Sequence, residues 1–278
     1  MKKHLTILTV ILNIILITNV YSWGDKGHRL ITEKSFAFLP ADMQKFINLR
    51  DSVVYHCTDP DKRKDRDRTE GPKHYIDLDY YPHFLEGRTI LTLDSITAVY
   101  GDSLAHELGY LPWATYNTYL KLIDAFKSGN RDSITFYASD LAHYVADGFQ
   151  PMHACLNYDG QLTNQKGLHS RYEIKMVDRH LDELKNENIK AQSSLLTNIP
   201  GRIFDYITGS SIYSSIIVEA DRFSTASGFY YNEDKFFDLL WFRTKYVTIQ
   251  QMNSSALELA SLFFTAWVNA GQPELTNL

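Results

Sequence analysis

Residues 131–149 have the sequence RDSITFYASDLAHYVADGF. Its apolar residues, from Ile134 to Phe149, recur at the three- and four-residue spacing of an amphipathic helix. Asp132 is the predicted N-cap of this helix, and Pro151 lies just past its end. Gly129 is predicted to end the helix before it. The sequence therefore predicts a helix that begins and ends at definite residues.

The same periodicity occurs in several other segments of the chain. They are Leu30–Leu39, Leu120–Phe126, Ile174–Leu184, Phe236–Trp241 and Leu257–Val268. No stretch alternates like a β-strand, and no internal repeat occurs. The charge-dense run Asp59–Glu70 is predicted to be a solvated loop. These patterns predict an all-α protein, with a single mainly helical domain over residues 23–278.

The N-terminus has the layout of a secretory signal peptide. Two lysines precede an apolar run from Leu5 to Ile17, and small or polar residues follow it up to Ser22. A membrane anchor is the alternative, but a transmembrane helix needs about 20 apolar residues and this run is shorter. Cleavage is therefore predicted after Ser22, so that residues 1–22 are the signal peptide. The protein would then be secreted or periplasmic, and Trp23 would be its first residue.

Composition limits the classes of function. The formal net charge is −5, and residues 1–22 contribute two lysines and no acid, so the remaining chain is more acidic still. This balance does not favour tight, nonspecific binding of duplex nucleic acid. The two cysteines, Cys57 and Cys155, could form a disulfide in an exported protein or remain free thiols.

Candidate metal ligands are concentrated in residues 140–175. His143 and Asp147 are four residues apart on the predicted helix, so their side chains project from one face. His153 follows the helix break at Pro151, and His169 and Glu173 repeat the four-residue spacing. Nitrogen and carboxylate donors without cysteine are typical of a catalytic rather than a structural zinc site. A lone histidine would more often be structural, but this combination predicts a metal site.

Two segments nearer the N-terminus extend the set. The sequence WGDKGH places His28 five residues after Trp23. The segment HCTDPDKRKDRDRTEGPKHYIDLD offers Asp59 and, fifteen residues later, His74. Asp59 could instead be a turn residue, because Asp-Pro favours turns. Asp61 competes with Asp59 for the same role.

These motifs, spread from Trp23 to Glu173, resemble the superfamily of bacterial secreted zinc-dependent phospholipases C and S1/P1-type single-strand nucleases. The resemblance implies a mainly helical fold with three zinc ions in a cleft. It implies a first zinc site formed by Asp59, His74, His143 and Asp147. It implies a second zinc site formed by His153, His169 and Glu173. It implies a third zinc site formed by His28 and by the amino and carbonyl groups of Trp23. Asp147 would bridge two of the sites. Asp59 is preferred to Asp61 because it fits the family's spacing to His74.

The chemistry of such a centre is phosphate ester hydrolysis. Two zinc ions about 3.5–4 Å apart can hold the attacking and leaving oxygens of an in-line displacement at phosphorus. Bound zinc also lowers the pKa of a water toward about 7. Asp59 is the candidate for accepting the nucleophile's proton. Gln150 and Asn157 are hypothesised to support the ligands from outside, since zinc-bound histidines need a second partner.

The substrate class stays open between two branches. Glu173 as the last ligand, the segment QPMHA and the short interval from His153 to His169 are similar to the phospholipases. The close spacing of Trp23 and His28 is more similar to the nucleases. A phospholipid head group is therefore favoured over single-stranded nucleic acid, with transient contact to a membrane surface and no obligate protein partner. A secreted, zinc-stabilised binding module without activity is the non-enzymatic alternative.

Overall fold

In the computed structural model, which describes residues 23–81 and 93–275, the chain is helical and contains no strand within those ranges. The predicted signal peptide, residues 1–22, lies outside them. The helices in chain order are α1 Gly24–Phe36, α2 Arg50–His56, α3 Asp59–Arg63, α4 Leu93–Tyr100, α5 Asp102–Leu108, α6 Leu111–Ser128, α7 Arg131–Gly148, α8 Leu168–Ser170, α9 Val177–Arg179, α10 Leu181–Asn186, α11 Ile199–Ser211, α12 Ser214–Ala226 and α13 Asp234–Asn269. The prediction of one mainly helical, all-α domain is confirmed.

Shorter turns connect the helices and carry several functional side chains. In the described residues, 3₁₀ segments span Ala41–Leu49, Gly71–His74, Leu78–Tyr80 and Pro151–Ala154. A π-helical segment, Arg171–Met176, joins α8 to α9. Insertions of this kind are common at functional sites because they re-aim side chains along a helix.

Helix α7 agrees with the sequence prediction except at its first residues. Gly129 ends α6 in the left-handed conformation, with a φ of 64°, as predicted. The N-cap of α7 is Asn130 rather than Asp132, because the Asn130 side chain accepts a hydrogen bond from the Ser133 amide at 2.8 Å. Asp132 lies in the first turn, where its negative charge interacts favourably with the positive end of the helix dipole.

Two hydrophobic clusters share α7 and α13. Phe46, Phe126 and Phe263 lie in the first cluster, and Phe236 and Met252 in the second. From Ala138 to Gly148 every residue of α7 is buried, so this half of the helix is enclosed on all sides. The long helix α13 covers both segments predicted at 236–241 and 257–268, because no glycine or proline interrupts the chain between them. No helix in the described ranges is both long and apolar enough to cross a bilayer.

Candidate metal centre

The centre is assembled around the buried end of α7. His143 and Asp147 project from this helix one turn apart, and neither is exposed. His28 comes from α1, His74 ends the turn Gly71–His74, and His153 lies in the turn Pro151–Ala154. The proline at the start of each of these turns fixes the backbone so that the chain folds back onto α7.

Asp147 lies at the middle of the centre. Its carboxylate oxygens are 3.5 Å from His28 Nε2, 3.0 Å from His74 Nδ1, 3.4 Å from His143 Nε2 and 3.9 Å from His153 Nδ1. One carboxylate thus contacts histidines from four separate segments. That position is the one a bridging ligand requires.

A second group of donors adjoins the first through His153. His169 Nε2 lies 2.7 Å from Glu173 Oε2, and His153 Nε2 lies 3.5 Å from the same oxygen. Glu173 is carried by the π-helical segment, and Gln150 Nε2 donates to its Oε2 at 2.6 Å. The structure therefore joins these three predicted residues and gives Gln150 the supporting position hypothesised for it. Asn157 instead bonds within its own loop, to Leu162 and Thr163.

Ligand atoms approach within 4.8 Å of one another in three triads. The triads are His28 with His143 and Asp147, Asp61 with His74 and His143, and His153 with His169 and Glu173. The first two share His143, and Asp147 contacts members of all three. The structure thus has three adjoining clusters of donors that could hold metal ions.

Main-chain carbonyl oxygens identify which ring nitrogen carries the proton in His143 and His153. Nδ1 of His143 lies 2.8 Å from the Cys57 carbonyl oxygen, and Nδ1 of His153 lies 2.6 Å from the His74 carbonyl oxygen. A carbonyl oxygen can only accept, so each Nδ1 is assigned the proton. In the neutral ring, Nε2 then presents its lone pair to the centre.

Those lone pairs point at other imidazole nitrogens. His143 Nε2 lies 2.9 Å from His74 Nδ1, and His153 Nε2 lies 3.0 Å from His169 Nε2. Two lone pairs at such distances repel one another unless a cation or a proton lies between them. The geometry of the donors therefore fits metal ions.

Buried polar atoms without hydrogen-bond partners support the same conclusion. Within the described part of the chain, they include both ring nitrogens of His28, Oδ2 of Asp61, both carboxylate oxygens of Asp147 and Oε1 of Glu173. An unpaired buried polar atom costs about 1–3 kcal/mol, so such a concentration is not a packing feature. These atoms have the positions and lone pairs that metal ions would use.

The charges of the centre are unusual for a protein interior. Burial alone would raise the pKa of Asp147, but His143 and His74 beside it hold that pKa far below its usual range. Burial also lowers the pKa of His28 to about 3, helped by the neighbouring His143. His28 stacks on His143 with ring centroids 4.0 Å apart. A neutral imidazole beside an ionised carboxylate is the state in which both bind metal.

Asp59 does not join this group, and the sequence preference for Asp59 over Asp61 is corrected. Asp59 Oδ2 lies 2.6 Å from His56 Nδ1, and Asp59 Oδ1 lies 2.8 Å from Lys62 Nζ at the surface. Asp61 is buried, and its Oδ1 lies 3.6 Å from a ring nitrogen of both His74 and His143. Residues two apart in a helix point roughly 200° apart, so α3 can direct only one of these carboxylates to the centre.

The two aspartates make a matched pair of variants. We expect Asp61→Asn to lower zinc affinity and turnover by about 100-fold or more, because substituting even an outer partner of a ligand typically costs 10–100-fold. Asp59→Asn should leave both within about two- to threefold, since it removes only surface ion pairs. Zinc titration by chelator competition and steady-state rates would measure both effects. Equal losses in the two variants would contradict the assignment of Asp61.

Trp23 lies at the edge of the centre. Its side chain is fully buried, and its Nε1 donates to the Ala146 carbonyl oxygen at 2.9 Å. Its ring also packs against Tyr172 with centroids 6.0 Å apart. Ala146 and Tyr172 directly precede Asp147 and Glu173 in the sequence, so the indole is fixed beside two candidate ligands. Binding of metal through the Trp23 amino and carbonyl groups stays a prediction.

The charged run Asp59–Glu70 is not a uniformly solvated loop as predicted. Lys62 and residues 65–69 are exposed, but Asp61 and Glu70 are buried. Lys64 Nζ lies 2.6 Å from Asp61 Oδ1, so a positively charged side chain lies at the edge of the centre. Sequence reasoning missed Glu70 and Lys64 because charge density alone does not show which members of a run face inward. The i, i+4 spacing of Glu70 and His74 was the available signal.

The cysteines are both free. Cys57 is buried, with its Sγ 3.2 Å from the Val54 carbonyl oxygen, and Cys155 is partly buried. Burial raises the pKa of each thiol to about 12. Of the two alternatives left by the sequence, the structure shows free thiols.

Comparison with known proteins identifies a related fold. No family model matches the chain, and no curated protein matches it. Among solved structures, the chain is similar to Alpha Toxin from Clostridium Absonum, with a TM-score of 0.54 and 11% sequence identity. The match covers 92% of this chain and 65% of the toxin chain, so this chain spans about 65% of the toxin's length. At this identity the similarity shows the fold alone.

Proposed function

We propose that this protein is a secreted zinc-dependent phosphoric ester hydrolase, similar to phospholipase C. The observation that carries the proposal is the position of Asp147, whose carboxylate contacts histidines from four segments. A structural zinc site is normally one closed tetrahedron. Three adjoining triads linked through one carboxylate favour a multinuclear catalytic centre instead.

The chain supplies donors that suit zinc. Imidazole nitrogen and carboxylate oxygen are present in every triad, while hard cations such as Mg²⁺ and Ca²⁺ prefer oxygen alone. Zinc bound here would act as a Lewis acid on the phosphoryl oxygens and would make a water more acidic. Residues His28, His74, His143, His153 and His169 would hold it, together with Asp61, Asp147 and Glu173. Trp23 remains a proposed ligand through its main chain.

Asp61 takes over the proton-accepting role that the sequence had suggested for Asp59. Its Oδ2 is buried and has no hydrogen-bond partner in the described chain, so it can accept the proton of an attacking water. Burial alone would raise the pKa of Asp61, but His143 and Lys64 beside it hold that pKa well below its usual range. The carboxylate is therefore ionised at neutral pH, the state in which it can accept a proton.

A neighbouring cleft bears on the choice of substrate. A cavity of about 430 Å³ is lined by Tyr144 and Glu70, which contact His74, and by none of the candidate ligands themselves. Its aromatic lining includes Tyr110, Trp113 and Phe136. Its charged lining is balanced between cations and anions, namely Arg63, Lys73 and Lys121 against Asp67, Glu70 and Asp140.

A path for single-stranded nucleic acid combines stacking aromatics with a clear excess of positive charge. The cleft provides the aromatics without that excess, because Arg63 and Lys73 are paired with acids. This balance supports a phospholipid head group over an anionic polymer. The short spacing of Trp23 and His28 supports the S1/P1-type nuclease as the second candidate.

Metal removal tests the proposal. We expect chelation to abolish hydrolysis of bis(p-nitrophenyl) phosphate, and added zinc to restore it better than magnesium or calcium, because the donors are mostly imidazole nitrogen. The zinc-loaded protein would then be compared on phosphatidylcholine vesicles and on single-stranded DNA. Faster turnover of the DNA would favour the nuclease. A protein that binds zinc but hydrolyses none of the three substrates would be a binding module and would contradict the proposal.

A further inference from the structure

Glu70 is the buried end of the charged run and lies just before the turn that carries His74. The residue is 1% exposed, although it follows a stretch of exposed residues. Glu70 and His74 are four residues apart, so the carboxylate reaches back along the turn to the imidazole. A buried carboxylate needs several hydrogen-bond partners, and Glu70 has them.

Three side chains fix the Glu70 carboxylate. Tyr144 donates a short hydrogen bond to Oε1, Lys73 Nζ lies 2.8 Å from Oε2, and Arg63 Nη2 lies 3.3 Å from Oε1. Arg63 is itself held by Asp140 through two hydrogen bonds of 3.0 and 2.7 Å. Such a bidentate pair allows little rotation of either group.

The anchor of this network is α7, the helix that also carries the central ligands. Asp140 and Tyr144 belong to α7. Tyr144 directly follows His143, and Asp140 lies two turns before Asp147. Glu70 is therefore held by α7, the same helix that carries His143 and Asp147. Any displacement of the turn Gly71–His74 relative to α7 would have to break this network.

His74 occupies a special position between the two donor groups. Its Nδ1 faces the centre, 3.0 Å from Asp147 and 2.9 Å from His143 Nε2, while its Nε2 faces Glu70 Oε1 across 3.5 Å. Nε2 makes no other hydrogen bond in the described chain, and Glu70 Oε1, 3.5 Å away, is placed to accept from its N–H. The His74 carbonyl oxygen accepts from His153, a member of the second group.

The other assigned histidines use a different kind of outer partner. His143 donates to the Cys57 carbonyl and His153 to the His74 carbonyl, whereas His74 faces an ionised carboxylate. A carboxylate makes the imidazole a more basic ligand than a carbonyl does, and it fixes which nitrogen is free. His74 is thus the ligand whose donor strength depends on a side chain that can be changed without altering the backbone.

We infer that Glu70 is a positioning residue of the metal centre, holding His74 with Nδ1 turned toward Asp147 while Tyr144 and the Arg63–Asp140 pair hold Glu70. The inference rests on the zinc site of the proposed function and adds a residue that contacts no metal itself. Because the His74 carbonyl receives the His153 hydrogen bond, a shift of His74 would disturb both donor groups.

The test is Glu70→Gln in the full chain. Gln preserves the size of the side chain and removes its charge. We expect the weakest-held zinc to bind 10–100-fold less tightly in chelator competition, the range typical for loss of an outer partner. The absorption spectrum of the cobalt-substituted protein should also change, because the ligand field at His74 changes. Asp65→Asn, an exposed carboxylate in the same charged run, is the matched control and should change neither.

A second variant separates positioning from folding. Tyr144→Phe removes one hydrogen bond to Glu70 and keeps the aromatic packing, so it should weaken zinc binding by a smaller factor, about two- to tenfold. If Glu70→Gln does not fold, Tyr144→Phe decides by the same measurements. Zinc affinity within twofold of the unaltered protein in the folded variant would overturn the inference. Failure of the unaltered protein to bind zinc would overturn the proposed function and this inference with it.

Discussion

Replacing Asp147 by asparagine is expected to reduce zinc content and lower turnover by more than about 100-fold. Asp147 contacts His28, His74, His143 and His153, so the substitution alters every donor triad at once. Asparagine keeps the shape, but it loses the charge and replaces one acceptor oxygen with an NH₂ donor. Because substitution of an outer partner alone typically costs 10–100-fold, loss of a bridging carboxylate should exceed that range.

The measurement combines zinc stoichiometry on the purified variant with rates on bis(p-nitrophenyl) phosphate. Asp132→Asn is the matched control, since Asp132 lies on the same helix at its exposed end. The control should keep zinc content and turnover close to those of the unaltered protein. An Asp147→Asn protein that retained its zinc and most of its activity would show that Asp147 is not shared between sites.

Adding one alanine before Trp23 is expected to remove about one zinc per chain and lower turnover at least tenfold. The prediction rests on the proposed role of the Trp23 amino group as a ligand. A free α-amino group has a pKa of about 7.7–8.0, so zinc can displace its proton at neutral pH. In a peptide bond the same nitrogen is a poor donor, because its lone pair is delocalised into the carbonyl.

The structure supplies a control for this experiment. The indole of Trp23 donates to Ala146 and packs against Tyr172, independently of any role for the amine. Trp23→Phe at the start of the mature chain keeps the free amine but loses the indole hydrogen bond. That variant should lose stability, by about 0.5–1.5 kcal/mol for the hydrogen bond, and keep its zinc stoichiometry. Equal zinc content and equal rates in the alanine-extended protein would show that the N-terminus is not a ligand.

Much of the fold could be predicted from the periodicity of apolar residues. The all-α class, the extent of α7 and its C-terminal break follow from apolar spacing, glycine and proline, which act over a few residues. Helix α13 was predicted as two separate segments, because polar residues between them interrupt the apolar periodicity. Helices α11 and α12 were not predicted. Helix α11 packs on α6 and on the turn Pro151–Ala154, and α12 packs on α13, so the apolar face of each is defined by a partner distant in sequence.

The sequence by itself determined which local pairs could share a face. The i, i+4 spacing of His143 with Asp147, and of His169 with Glu173, brings each pair together on a helical turn wherever the helix lies. His28, His74 and His153 were indicated by the resemblance, and the structure places all three beside Asp147. The structure thus brings these side chains together, and their binding of metal stays a prediction.

Which acidic side chains of the charged run face the centre could be seen only in the tertiary structure. Asp59 and Asp61 are chemically identical, and only the rotation of α3 against α7 turns Asp61 inward and leaves Asp59 with His56 and Lys62 at the surface. Glu70 likewise became part of the centre only because α7 presents Tyr144 and, through Arg63, Asp140 to it. The physical reason is that burial is a property of packed elements. A charge becomes a ligand or a support when the fold removes it from water and supplies its partners.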